Sequence, residues 1–180
     1  MKSLCVFASS SDAVAPTYFA AATAVGVLIA QRQFILIYGG GKIGLMGALA
    51  RAVHQHRGRV VGIIPHYLRK KEVAYEAADE LVVVSDLRER KALMEARADA
   101  FLVLPGGFGT LEETLEILTL KQLHQHDKPI VLLNINNFFD PLIGLFKRLS
   151  HEGFVKPEYR ETFYLAPEPE EAFQYLSACP

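Results

Sequence analysis

Short runs of β-branched and aliphatic residues recur at positions 4–8, 34–38, 60–64, 81–84, 100–104 and 130–133, with helix-like stretches between them. The runs are continuous rather than alternating, which marks strands covered on both faces. Strand-helix alternation of this kind closes into a doubly wound, parallel, Rossmann-like α/β sheet with helices on both faces. At 180 residues and 51% hydrophobic, the chain has enough apolar side chains for one core and is too apolar to be disordered. No linker or repeat interrupts it, so residues 1–180 are read as a single domain. Helices are expected from Pro16, over 44–56, from an Asp86 cap to Arg97, from Thr110 to His124, over 138–151 and over 170–176. Pro65 is expected to stop the third strand, and a last short strand falls near Phe163.

Charge and cysteine usage narrow the function classes. The 19 Lys+Arg and 20 Asp+Glu leave a net charge of −1, so no global field draws the chain to nucleic acid or to a membrane. The distribution is uneven, because residues 13–71 hold eight Lys/Arg and no acid. The uncharged stretch 13–30 carries seven alanines, with Pro16, Thr17, Thr23 and Gly26 among them, too weakly apolar for a membrane span. Residues 4–8 are too short a run for a signal peptide. Cys5 and Cys179 stand at opposite ends without a Cys-x-x-Cys pair, which fits a reducing, cytoplasmic location with Cys5 as a small core residue.

Doubly wound sheets bind ligands beyond the carboxyl ends of their strands. Three small-residue segments stand there: Ser9-Ser10-Ser11, Gly39-Gly40-Gly41 and Pro105-Gly106-Gly107-Phe108-Gly109-Thr110. In the last, the glycines allow a tight turn and close backbone approach, and Thr110 opens a helix whose free N–H groups suit phosphate. Gly39 to Gly44 fits G-x-G-x-x-G literally. No acid stands at the end of the next strand to hold a ribose, which argues against NAD and for a single phosphate or ribose contact. Ser9, Gly40 and Gly41 are candidate contacts on that basis.

Glu112, Glu113 and Glu116 follow the second glycine turn. Glu112 fits a dipole-stabilising role, whereas a carboxylate beside a bound anion needs a task, and Glu113 is the first choice for one. Arg88-Glu89-Arg90-Lys91 sits at another helix start, where cations oppose the macrodipole; composition leaves open whether it is a site or a surface salt-bridge cluster with Glu89 and Glu95. The pairs His54/His56 and His124/His126 lie at helix ends, where i and i+2 point apart, so they read as help to helix C-termini rather than as metal ligands.

The segment Pro105-Gly106-Gly107-Phe108-Gly109-Thr110-Leu111-Glu112-Glu113 resembles the PGGxGTxxE signature of the LOG family, the cytokinin riboside 5'-monophosphate phosphoribohydrolases once labelled lysine decarboxylases. The likeness extends over nearly the whole chain, through Cys5-Val6-Phe7, Tyr38-Gly39-Gly40-Gly41, Gly44-Leu45-Met46-Gly47, Glu89-Arg90-Lys91 with Met94, Asp127-Lys128-Pro129 and Glu152-Gly153-Phe154. The resemblance implies hydrolysis of the N-glycosidic bond of a nucleoside 5'-monophosphate by a homodimer without metal or organic cofactor. It implies Arg90 and Glu113 as the catalytic pair, with substrate contacts at Glu72, Lys91, Gly106, Gly107, Phe108, Gly109, Thr110, Leu111, Glu112 and Thr119. Leu87-Arg88 stand where the family shows Met-His, which leaves the preferred base open. Two other readings remain: a non-catalytic nucleotide or cofactor carrier, and a pyridoxal-phosphate decarboxylase using Lys42, Lys91 or Lys121, none of which is marked as a Schiff-base lysine.

Overall fold

The computed structural model describes residues 2–69 and 73–179, with the backbone alone for 159 and 160. Its strands are β1 (Ser3–Phe7), β2 (Ile35–Tyr38), β3 (Arg59–Pro65), β4 (Glu80–Val84), β5 (Ala100–Val103), β6 (Ile130–Leu133) and β7 (Tyr164–Ala166). They form one seven-stranded sheet in the order β4-β3-β2-β1-β5-β6-β7, parallel at every pairing. The helices are α1 (Pro16–Gln31), α2 (Gly44–Gln55), α3 (His66–Arg69), α4 (Leu87–Arg97), α5 (Phe108–Gln122), α6 (Asp140–His151) and α7 (Pro169–Ala178).

Alternate side chains of each strand feed two apolar layers. Leu4, Val6, Leu36, Tyr38 and Leu102 pack with α1, α2 and α7 on one face. Cys5, Phe7, Ile37, Phe101 and Val103 pack with α4, α5 and α6 on the other. Burial on both faces is why these strands read as unbroken apolar runs. The alanine-rich α1 serves close packing: a Cβ at Gly26 would lie 2.6 Å from that of Ala52 on α2. No helix among the described residues is long and apolar enough to cross a membrane.

Three expected boundaries are corrected. Pro65 does not stop β3 ahead of itself; it is the last strand residue, in register with Val84, at an end position that proline tolerates. Helix α5 begins at Phe108, not Thr110, because Gly107 already has the extended backbone of an N-cap. Helix α6 begins at Asp140, not 138, after a separate 3-10 turn (Ile135–Asn137) with left-handed Asn136 and Asn137. The Asn134 carboxamide then accepts the Phe139 N–H and donates to Asp140 at the start of α6. The single-turn α3 and the 3-10 turn Pro157–Glu161 carry no periodic signal long enough to read.

From β1 the chain runs outward to β2 on one side, and later resumes with β5 on the other. The sheet therefore has its topological switch between β1 and β5, and the crevice beyond their carboxyl ends is where this fold takes ligands.

Candidate active site

A cleft of about 460 Å³ opens at that switch. Ser9, Ser10 and Ser11 after β1, Gly39 and Gly41 after β2, and Gly107, Phe108, Gly109 and Thr110 after β5 line it, together with Arg90 and Glu113. Sequence-distant segments thus meet because all of them follow parallel strands.

The two glycine turns differ in what their backbone donors do. Helix α5 has no side-chain cap, and its first internal bond runs from the Leu111 N–H to the Gly107 carbonyl. The N–H groups ahead of Leu111 have no acceptor within the helix. A Cβ at Gly107 or Gly109 would meet no protein atom within 4 Å, so these glycines leave room rather than relieve a clash. Gly106 is different: its Cβ would lie 2.1 Å from Thr110 Oγ1. Together the open donors and the positive helix end form an anion site.

At α2 two of the corresponding donors are taken. The Gly44 N–H donates to Asp12 Oδ1 at 2.8 Å, and the Met46 N–H to the Ser9 carbonyl at 3.2 Å. Gly44 has φ +61°, and a Cβ there would sit 2.4 Å from the Ser10 carbonyl carbon. This turn is packed against the serine loop. Gly40, with φ +73°, turns toward Ile63 and Ile64, while Gly39 lies beside the Arg90 guanidinium.

Arg90 and Glu113 come together from α4 and α5. Arg90 Nη2 donates to Glu113 Oε1 at 2.5 Å, with only 14% and 8% of the two side chains exposed. Burial pushes the Glu113 carboxyl above its ordinary value, and the Arg90 charge and hydrogen bond pull the other way without cancelling it. Arg90 Nε is buried without a partner. The cationic start of α4 is compensated locally: Asp86 accepts the Arg88 and Glu89 N–H groups, and Glu89 accepts from the N–H and hydroxyl of Ser85. That leaves Arg90 available to the cleft.

The remaining expected contacts lie elsewhere. Lys91 is bonded to Glu112 and, at 2.7 Å, to Glu116, joining α4 to α5 outside the cleft lining. Leu111 packs in the layer under α5. Thr119 lines a separate apolar groove with Leu115, Leu118, Phe146 and Leu149, outside the cleft that Glu113 lines. Glu72 falls outside the described residues. His56 Nδ1 does serve a helix end, at the Ala52 carbonyl 3.0 Å away, whereas His54 joins Tyr75 and Asp79. Sequence reading missed the apolar wall formed by Ile43, Met46, Ile64, Leu68 and Val73. Its one legible signal was that residues 43, 46 and 64 flank the glycine turn and the end of β3.

A family model described as a possible lysine decarboxylase matches residues 46–176. The cytokinin riboside 5'-monophosphate phosphoribohydrolase LOG5 of Arabidopsis thaliana is 44% identical over 98% of this chain and 78% of its own length. LOG7 of the same plant is 41% identical over 97% and 81%. A probable relative from Oryza sativa subsp. japonica, LOGL2, is 42% identical over 96% and 71%. Among solved structures, the molybdenum cofactor binding protein of Rippkaea orientalis superposes with a TM-score of 0.77 at 22% identity, covering 99% of this chain and 97% of that one. The molybdenum cofactor carrier protein of Chlamydomonas reinhardtii gives 0.74 at 21%, covering 99% and 100%; both show the shared fold. With the signature turn, the Arg90–Glu113 pair and full-length likeness to several curated members, this chain belongs to the LOG family of cytokinin riboside 5'-monophosphate phosphoribohydrolases.

Proposed function

We propose that the chain hydrolyses the N-glycosidic bond of a cytokinin riboside 5'-monophosphate, releasing free base and ribose 5-phosphate. The observation that carries this reading is the buried Arg90–Glu113 pair in the same cleft as the uncapped start of α5. Phosphate docks on the free N–H groups of residues 107–110, and that binding energy holds the sugar in place. As the glycosidic bond breaks, positive charge develops on the ribose and negative charge on the base. Glu113 stabilises the sugar cation and takes a proton from the attacking water, whose oxygen bonds to the anomeric carbon. Its raised proton affinity suits that task near neutral pH. Arg90 orients the nucleotide and favours charge on the departing base, which takes up the proton that Glu113 removed from the water, so that the water is divided between ribose and base. The aliphatic wall of Ile43, Met46, Ile64, Leu68 and Val73 suits an alkylated base.

The protein works as a homodimer on this reading. The apolar groove lined by Leu115, Leu118, Phe146 and Leu149, with Leu145 exposed on the same helix as Phe146, supplies a face for a second copy. The free cysteines fit a cytoplasmic location.

Isopentenyladenosine monophosphate, AMP and other nucleoside monophosphates, assayed for free base beside their nucleosides, test the reaction. Turnover that requires the 5'-phosphate is the expected result. Stoichiometric binding without product would replace the enzyme by a carrier.

A further inference from the structure

The connection from β3 to β4 does not simply pass the cleft; it is fastened to it. Residues 73–75 lie antiparallel to the first glycine turn, with a bridge between Gly41 and Ala74. The Lys42 N–H donates to the Val73 carbonyl and the Tyr75 N–H to the Gly40 carbonyl, each at 2.8 Å. These bonds bracket Gly41, and both Gly41 and Val73 line the cleft. The side chain of Tyr75 continues the attachment on the far side. Its hydroxyl lies 3.0 Å from His54 Nδ1 at the end of α2, and His54 Nε2 lies 2.9 Å from Asp79 Oδ2. That same carboxylate oxygen accepts the Val60 N–H at 2.8 Å, at the start of β3. The His54 and Tyr75 rings sit 5.5 Å apart.

We infer that Tyr75, His54 and Asp79 are positioning residues for the proposed hydrolysis, holding the Val73 wall and the Gly40–Gly41 backbone at the spacing a nucleotide needs. None of the three lines the cleft, so their effect passes through the 73–75 segment. In the tautomer with the proton on Nε2, His54 donates to Asp79 and accepts from the Tyr75 hydroxyl, so both ring nitrogens and the hydroxyl are used. Arg90 and Glu113 are fixed separately, by each other. Loosening the segment therefore weakens nucleotide binding and spares the chemical step.

The inference rests on the proposed hydrolysis, and its test keeps the two apart. Tyr75→Phe retains the ring and removes the hydroxyl; Asp79→Asn retains the shape and weakens the hold on His54. Each is measured for kcat and KM with isopentenyladenosine monophosphate, and for Kd with AMP by titration calorimetry. Both variants are expected to raise KM and Kd about three- to tenfold with kcat within about twofold, and the double variant to be no worse than the poorer single one, as links of one chain behave. Unchanged KM and Kd, or a kcat loss at constant KM, would overturn it. If the wild-type chain binds AMP but releases no base, the hydrolase reading fails, and the Kd series still decides the role of these residues. If the wild type binds no nucleotide, both fall.

Discussion

The chain carries two glycine clusters at the same edge of the same sheet, and they do opposite jobs. At residues 39–44 the glycines let backbone pack on backbone, and Asp12 and Ser9 take the Gly44 and Met46 donors at the start of α2. At residues 106–109 a Cβ on two of the three glycines would meet nothing, and the α5 donors are open. A glycine-rich turn therefore announces close approach without saying to what. The status of the N–H groups behind it decides between fold and ligand.

The largest effect expected from this contrast lies one turn into α5. Glu113→Gln keeps the shape and an acceptor for Arg90 but removes the base, and should lower kcat by about 10²–10⁴ in a base-release assay. Glu113 also predicts the pH profile. Because its folded proton affinity is raised, activity should fall on the acid side at a pH above the ordinary glutamate range, and the Gln variant should lose that limb. The stability sign follows: what protonated Glu113 contributes is fully present below its unfolded pKa and is lost as pH rises through the folded one. Glu113→Gln should flatten that part of the stability curve.

Matched substitutions at the two turns come next. Gly44→Val places a Cβ against Ser10 in a left-handed backbone and should destabilise the fold by about 3 kcal/mol or more, seen in denaturant melts. Gly109→Val enters open space on a helix, so the melt should hold. The branched side chain should block the phosphate and weaken nucleotide binding by about 1.5–3 kcal/mol in calorimetry. If Gly109→Val unfolded the chain while Gly44→Val only lost ligand, the assignment of the two turns would be reversed.

Lys91 tests how the open turn is held. Burial pulls its ammonium toward the neutral form, but Glu112 and Glu116 outweigh this and keep it charged. As a brace between α4 and α5, it should lower kcat about tenfold when replaced by Met, with a smaller change in KM, since about 1.4 kcal/mol is a modest loss of positioning. A dominant KM effect would instead favour the substrate contact expected from family resemblance.

Much of this was legible before any coordinates. Continuous apolar runs are what a sheet covered on both faces requires, so the strands and their parallel pairing, though not their order, followed from residues such as Leu4, Leu36 and Leu102. Glu113 stood out because a carboxylate beside a phosphate-binding turn is costly without a use, whereas only the family resemblance singled Arg90 out of the Arg88–Lys91 cluster. What stayed hidden depends on distant pairing. Asp12 gave no sign that it would cap a helix thirty-two positions away. Leu68 lies in the single-turn α3 and Val73 in the short segment bridged to Gly41, and neither is long enough to carry a periodic signal. Gly107 as an N-cap was missed because glycine lets a helix begin earlier than the first favourable side chain.

The smallest expected effect probes the closed turn. Asp12→Ala removes the acceptor of the Gly44 N–H, a loss of about 1 kcal/mol for a helix cap. In a domain of this size that shifts the melting midpoint by about 2–4 °C. Catalysis should be unaffected, because the Ser9 carbonyl still holds the Met46 N–H and Gly44 stays pressed against Ser10. The freed donor does, however, offer phosphate a second helix start, within a sequence segment, residues 13–71, that carries no acidic side chain. Inorganic phosphate added to the variant separates the two outcomes. If it protects Asp12→Ala from thermal unfolding no more than it protects the wild type, α2 is closed by packing as well as by its cap, and the division between the turns is built into the backbone. Selective protection of the variant would mean that one carboxylate alone keeps the first turn from being a second anion site.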